Sequence, residues 1–152
     1  MGCQPLADLR RPVLLRVFGQ WSVSRFTSMR FLLLNGMNDN YWKNFLAEVL
    51  QPLGTLSVAC ASQGVPTDGE EPNGLIIIDA TMIEEAEKLI SRLRAERPER
   101  RIVVLTASPT WEHARAAFEA GAADYLPKTL TRGELLEAFQ QVLRKPLPPW
   151  HR

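Results

Sequence analysis

The feature that most constrains this chain is a short apolar run that ends in an acid, Leu75–Asp79, with the sequence LIIID. A wholly apolar run rich in β-branched residues is typical of a strand that is buried on both faces of a parallel sheet. Asp79 stands where that strand would leave the sheet. In open parallel α/β sheets, ligands and chemistry collect at the carboxyl ends of the strands. The run therefore predicts a central strand that delivers a carboxylate to a site.

Two later runs repeat this design with different polar residues. Arg101–Leu105 leads to Thr106, and Ala123–Pro127 leads to Lys128. The carboxyl ends of parallel strands lie at one edge of a sheet, so we expect the carboxylate of Asp79, the hydroxyl of Thr106 and the amine of Lys128 to converge there.

Strand and helix patterns alternate along the chain. Predicted strands cover 31–34, 55–60, 75–79, 101–105 and 123–127, and predicted helices cover 38–52, 82–97, 108–120 and 131–144. The first helix would be capped by Asn38 or Asp39. Residues 61–74 are rich in glycine and proline, which predicts a loop in place of a helix. The alternation indicates an α/β fold with a doubly wound, five-stranded parallel sheet between two layers of helices.

The two ends of the chain differ from this pattern. Residues 1–28 are basic and show no clear period, and we interpret them as an extension that is disordered or not native, with Met29 as a natural start. An organelle transit peptide is the alternative. Residues 29–145 form the predicted domain, and 146–152 form a proline-rich tail. The chain ends at Arg152 without room for an output domain, so we expect a stand-alone domain.

Composition argues against several classes of function. The formal net charge is +1, so no field-driven affinity for nucleic acid or membranes is expected. The two cysteines, Cys3 and Cys60, have no metal-ligand spacing, and we predict that Cys60 is reduced and buried. No apolar segment is long enough to span a membrane. We therefore expect a cytoplasmic domain without a zinc site.

The chain resembles the receiver domain of two-component response regulators over about residues 30–145. The resemblance rests on the runs Leu75–Asp79, Ile102–Ala107 and Gly121–Lys128. It implies a flavodoxin-like fold with strand order 2-1-3-4-5, in which the second helix has become the 61–74 loop. It also implies a signalling module rather than an enzyme, with a histidine kinase or phosphotransfer protein and a separate effector protein as partners.

The resemblance assigns a role to each polar residue at the predicted edge. Asp79 would be the phosphoacceptor, and Lys128 the invariant lysine that contacts the phosphoryl group. Thr106 would sense that group, and Tyr125 would be the switch aromatic. Each residue also has an ordinary structural interpretation: Asp79 as a helix cap or as the salt-bridge partner of Lys128, Thr106 as a hydroxyl bonded to backbone, and Tyr125 as a half-buried core aromatic.

The chain departs from the family pattern where the family holds Mg²⁺. The pair of acids that usually ends the first strand is replaced by Asn35 and Gly36. A carboxylate that attacks a phosphoryl group needs a nearby cation, which is usually Mg²⁺. Here the ligands would be Asp79, the amide of Asn35 and the backbone carbonyl of Thr81, which predicts a weak site. The proline-containing loop after the acceptor is also missing, so we expect Thr81 to run directly into a helix.

Three functional hypotheses follow. The first is a stand-alone receiver domain that is phosphorylated on Asp79. The second is a pseudo-receiver, a protein-protein interaction module that no longer takes phosphate. The third is a flavodoxin-like enzyme that binds a cofactor. The sequence argues against it, because Asn35–Asp39 is neither a P-loop nor a Rossmann fingerprint.

Overall fold

The structure is a computed structural model that describes residues 29–36, 40–66 and 72–145. Its strands are β1 (Met29–Asn35), β2 (Gly54–Cys60), β3 (Ile76–Asp79), β4 (Ile102–Thr106) and β5 (Asp124–Pro127). Its helices are α1 (Asn40–Leu50), α2 (Ala86–Glu96), α3 (Trp111–Ala120) and α4 (Arg132–Arg144), with a 3-10 helix at Ala80–Met82. The predicted extension 1–28, the tail 146–152 and the predicted caps Asn38 and Asp39 lie outside the described residues.

The strands form one parallel sheet in the order β2-β1-β3-β4-β5. This confirms the predicted fold class and strand order. Within the described parts of the predicted loop, 61–66 and 72–74, the chain is not helical. No helix in the described part of the chain has the length and apolar character that crossing a membrane requires.

Both faces of the sheet are buried, which explains the continuous apolar runs. In β3, Ile77 packs with the cluster that contains α1 and α4, whereas Ile76 and Ile78 pack with the cluster that contains α2 and α3. All three side chains are at most 2% exposed. A strand that is covered on both sides has no solvent-exposed face. Its sequence therefore does not alternate between apolar and polar residues.

Strand register sets the position of the polar residues at the carboxyl edge. The Cα of Asp79 pairs with that of Asn35 on β1 and with that of Leu105 on β4. Thr106 is the last residue of β4 and pairs with Pro127, so Lys128 follows directly after the end of β5. The acid, the hydroxyl and the amine are therefore all delivered to one edge.

The prediction that Thr81 runs directly into a helix from residue 82 is wrong. Ala80–Met82 is a single 3-10 turn, and α2 begins only at Ala86 after Glu85, whose φ of 58° is in the left-handed region. The Asp79 side chain caps the 3-10 turn, and the Thr81 hydroxyl accepts a hydrogen bond from Ala107 N at 3.2 Å. These two contacts tie the segment to the sheet edge, so it cannot continue as the first turn of a straight helix.

The later helices begin at residues whose side chains cap the helix, and α3 is closed by a glycine. α3 begins at Trp111 rather than at the predicted residue 108, because the Thr110 hydroxyl caps it by accepting from His113 N. It ends at Ala120, and Gly121, whose φ is 116°, is the C-cap. α4 begins with a complete capping box, with hydrogen bonds of 2.9 and 3.2 Å between Thr131 and Glu134.

One buried arginine stabilises the C-terminal end of α2, and its loss should be measurable. Arg100 is 8% exposed, and its Nη1 donates to Leu93 O at 3.0 Å and to Glu96 Oε1 at 2.9 Å. We expect Arg100→Ala to lower the free energy of unfolding by about 2 kcal/mol, the order for buried charge-assisted hydrogen bonds. Chemical denaturation would measure it. Arg97→Ala breaks an exposed pair with Glu99 and should change the free energy of unfolding by less than about 0.5 kcal/mol. Equal effects of the two substitutions would contradict the stabilising role of Arg100.

Candidate functional site

The Asp79 carboxylate lies at the centre of the carboxyl edge, and each of its oxygens accepts a hydrogen bond. Oδ1 accepts from Thr81 N at 3.2 Å, and Oδ2 accepts from Lys128 Nζ at 2.8 Å. Asp79 is thus both the cap of the 3-10 turn and the partner of a lysine from another strand. Both structural interpretations of Asp79, as a cap and as the salt-bridge partner of Lys128, therefore hold at the same time.

The pair of Asp79 and Lys128 is shielded from water. The two side chains are 7% and 8% exposed. Removing two charges from water is costly, and close contact with hydrogen bonding offsets that cost. A short N–H···O contact between ionised groups is among the stronger hydrogen bonds in proteins. The site therefore holds a carboxylate whose charge is balanced by one fixed cation.

An aromatic ring from α1 covers that cation. Lys128 Nζ lies 4.8 Å from the centroid of the Trp42 ring, a distance at which the ring face attracts an ammonium group. None of the predictions from the sequence connects Trp42 with this site. The available signal was its position in the first turn of the helix that follows β1, at the same edge of the sheet as Lys128.

Thr106 is buried at the end of β4, and its hydroxyl is bonded to the backbone. Its Oγ1 accepts from Ser108 N at 3.1 Å. A cavity of about 460 Å³ lies beside it and is also lined by Tyr125, His113 and Ala117. Tyr125 is half-buried and packs against the core on the α2 and α3 side of the sheet. The structure thus places the two predicted switch residues on one cavity.

Asn35 stands beside Asp79 at the carboxyl edge of the sheet. It is 9% exposed, and its Cα pairs with those of Asp79 and Cys60. The prediction that Cys60 is buried is wrong: it ends the outermost strand and is exposed. Its thiol lies 3.2 Å from the Ser62 hydroxyl, and this hydrogen bond lowers the pKa of Cys60 below its usual value.

The ligands predicted for a metal do not fit a strong magnesium site. Of Asp79, Asn35 and Thr81, only the first carries negative charge, and both of its oxygens already accept hydrogen bonds. Among the residues that the structure describes, no group of three or more histidine, cysteine, aspartate or glutamate side chains is placed to hold a metal ion. Mg²⁺ prefers one or two carboxylates in a near-octahedral set of oxygens. The cation that contacts Asp79 here is the ammonium of Lys128.

Comparison with known proteins agrees with the fold. The family model of the response regulator receiver domain matches residues 39–140. A response regulator from Thermotoga maritima has a TM-score of 0.66 at 23% identity, over 78% of this chain and 99% of its own. The non-phosphorylated HemR receiver domain from Leptospira biflexa also has a TM-score of 0.66 at 23% identity, over 80% and 98%. At this level of identity the structures show a shared fold.

Curated relatives match part of the chain. The DNA-binding transcriptional regulator NtrC from Azospirillum brasilense is 40% identical over 76 residues, which are 49% of this chain and 16% of that protein. NtrC from Rhizobium meliloti is 36% identical over 73 residues, which are 47% of this chain and 15% of that protein. The matched segments thus make up less than a fifth of either regulator.

Proposed function

The chain belongs to the response regulator receiver domain family, a family of two-component signalling modules rather than classical enzymes, and from this premise we propose that Asp79 accepts a phosphoryl group from a histidine kinase or phosphotransfer protein. The observation that carries the proposal is the 2.8 Å contact between Asp79 and Lys128 at the carboxyl edge of the sheet. The buried hydroxyl of Thr106 at the same edge supports it.

The chemistry assigned to these residues is a displacement at phosphorus. An oxygen of the Asp79 carboxylate attacks, an acyl phosphate bond forms, and the bond between phosphorus and the donor breaks, with the electron pair leaving on the donor atom. Such transfer depends mainly on positioning and on neutralising charge. Lys128 supplies the positive charge and moves from the carboxylate oxygen toward the phosphoryl oxygens as negative charge accumulates there.

The signal would leave through a protein-binding face formed by α3, β5 and α4. Thr106 and Tyr125, which line one cavity, would transmit a change at the site to this face. On α3, Trp111 is 67% exposed and Phe118 is 48% exposed, which leaves large apolar side chains available for a partner. A separate effector protein as that partner is part of the proposal.

The proposal is tested by phosphorylation with a small donor. The purified protein would be incubated with acetyl phosphate over a range of Mg²⁺ concentrations, and the intact mass would be measured. We expect a single phosphoryl adduct in the wild type and none in Asp79→Asn, because the amide is not a competent nucleophile. A hydroxylamine-labile adduct would identify an acyl phosphate.

A matched control uses another acid on the same sheet. Asp124 begins β5, at the opposite end of the strand from Lys128, and its Oδ1 accepts from Tyr125 N. Asp124→Asn should keep the adduct. An adduct that survives Asp79→Asn, or one that is lost equally in both variants, would contradict the assignment of Asp79.

The second candidate is a pseudo-receiver that keeps the fold and the binding face without turnover. It is favoured by Asn35 and Gly36 in place of the acid pair and by a carboxylate whose two oxygens are already bonded. The same experiment separates the two candidates: a wild-type protein that takes no phosphoryl group at any Mg²⁺ concentration, while remaining folded, supports the pseudo-receiver.

A further inference from the structure

We propose that Trp42 is a positioning residue that holds the Lys128 ammonium against the Asp79 carboxylate. Lys128 Nζ lies between two groups, 2.8 Å from Asp79 Oδ2 and 4.8 Å from the centroid of the Trp42 ring. This inference deepens the proposed function. The expected effect of Trp42 on phosphorylation rests on that function, whereas its effect on the position of Lys128 does not.

A lysine needs such restraint more than an arginine would. Its ammonium is a point charge on a flexible stem of four carbons, and a single hydrogen bond leaves the stem several rotamers. Its side chain is only 8% exposed, so the ring face replaces much of the water that would otherwise solvate it. Cation–π attraction is stronger at such a desolvated position than on the surface. The ring therefore favours the rotamers that keep the ammonium on Asp79.

The Trp42 ring is itself held by aromatic neighbours on α1. Its plane is nearly perpendicular to the rings of Tyr41 and Phe45, with centroids 5.6 and 5.2 Å away. These are favourable edge-to-face arrangements. The guanidinium of Arg132, at the start of α4, lies 5.8 Å from the Phe45 centroid and also pairs with Glu48 at 2.8 Å. A fixed ring can restrain a cation, whereas a mobile ring could not.

The restraint matters because the site relies on Lys128 for positive charge. Asn35 and Gly36 supply no acids to hold a metal beside Asp79. A small displacement of a charge that must meet the phosphoryl oxygens is costly, because catalysis by positioning depends on near-attack geometry. Trp42 is therefore expected to act on the reaction through Lys128 rather than by touching the phosphodonor.

The test compares Trp42→Leu, which removes the ring face, with Trp42→Phe, which keeps a smaller one. The first readout needs no phosphodonor: the proton resonances of the Lys128 ε-methylene group are measured in lysine-labelled protein, assigned with Lys128→Arg. The ring should shift them upfield in the wild type, less so in Trp42→Phe and not in Trp42→Leu. The second readout is the rate of adduct formation with acetyl phosphate. We expect a fall of about tenfold to thirtyfold in Trp42→Leu and of at most about threefold in Trp42→Phe.

The control is a substitution outside both the site and the proposed binding face. Arg97, directly after α2, forms an exposed pair with Glu99. Arg97→Ala should change neither readout. Circular dichroism shows whether each variant is folded, and Trp42→Phe keeps the test decisive if Trp42→Leu is not.

The outcomes separate this inference from the proposed function. Lys128 resonances that are the same in wild type, Trp42→Phe and Trp42→Leu would overturn the inference even if the wild type is phosphorylated, as would an unchanged phosphorylation rate in folded Trp42→Leu. If the wild type takes no phosphoryl group, the proposed function fails, and the resonances still decide whether Trp42 positions Lys128.

Discussion

Replacing Lys128 with methionine should lower the free energy of unfolding by about 3–5 kcal/mol, the range for removing one partner of a buried ion pair. Methionine fills much of the lysine volume, so the loss comes from the Asp79 carboxylate, whose side chain is only 7% exposed and which is left without its cation. Denaturant titration followed by circular dichroism would measure the change. The slope of the unfolding free energy against denaturant concentration should be unaltered, since the substitution does not change the surface that unfolding exposes.

A double-mutant cycle separates this effect from lost packing. Asp79→Asn combined with Lys128→Met removes both charges, and the double variant should be more stable than the sum of the single effects predicts. Arg132→Met is the exposed counterpart: its 2.8 Å pair with Glu48 has side chains 61% and 58% exposed. Breaking that pair should cost at most about 1 kcal/mol. Equal costs for Lys128→Met and Arg132→Met would show that burial does not control the energy of the Asp79 pair.

Restoring the family acids should convert the protein from one that ignores magnesium into one that Mg²⁺ stabilises. We expect the wild-type melting temperature to be nearly the same in millimolar Mg²⁺ and in EDTA, because the ligands do not fit. In the double variant Asn35→Asp, Gly36→Asp, a new carboxylate lies beside Asp79, whose Cα pairs with that of Asn35. Repulsion between like charges should make this variant less stable than the wild type in EDTA.

Mg²⁺ should more than reverse that loss. A ligand that binds only the folded state stabilises it by about 2.7 kcal/mol at a concentration one hundredfold above its dissociation constant. Thermal unfolding in EDTA and in increasing Mg²⁺ would show this as a rising melting temperature. Asn73→Asp is the matched control, at a site where the side-chain oxygen accepts a hydrogen bond from Arg30 N; it should show no response. A wild type stabilised by Mg²⁺ as strongly as the double variant would contradict the structural interpretation of the metal site.

Much of the fold could be predicted because its signals are local. The run Leu75–Asp79 indicates a strand buried on both faces, and Thr131 with Glu134 indicates a helix start, whatever surrounds them. The start of α2 could not be predicted in this way. Met82 and Ile83 fit a helical pattern, but contacts of Asp79 and Thr81 with the sheet edge hold the preceding residues in a 3-10 turn. The contact of Thr81 with Ala107 joins residues 26 positions apart, and helical periodicity carries no signal of it.

The sequence alone determined which chemical groups reach the edge, because strand ends and parallel topology place Asp79, Thr106 and Lys128 on the same side of the sheet. Only the tertiary structure decided which groups touch: the pairing of Asp79 with Lys128, separated by 49 residues, and the Trp42 ring against the ammonium. The reason is physical. A strand end is set by local backbone preference and burial, whereas a contact between side chains depends on sheet register, helix packing and rotamers. No single segment of the sequence determines sheet register, helix packing or rotamers by itself.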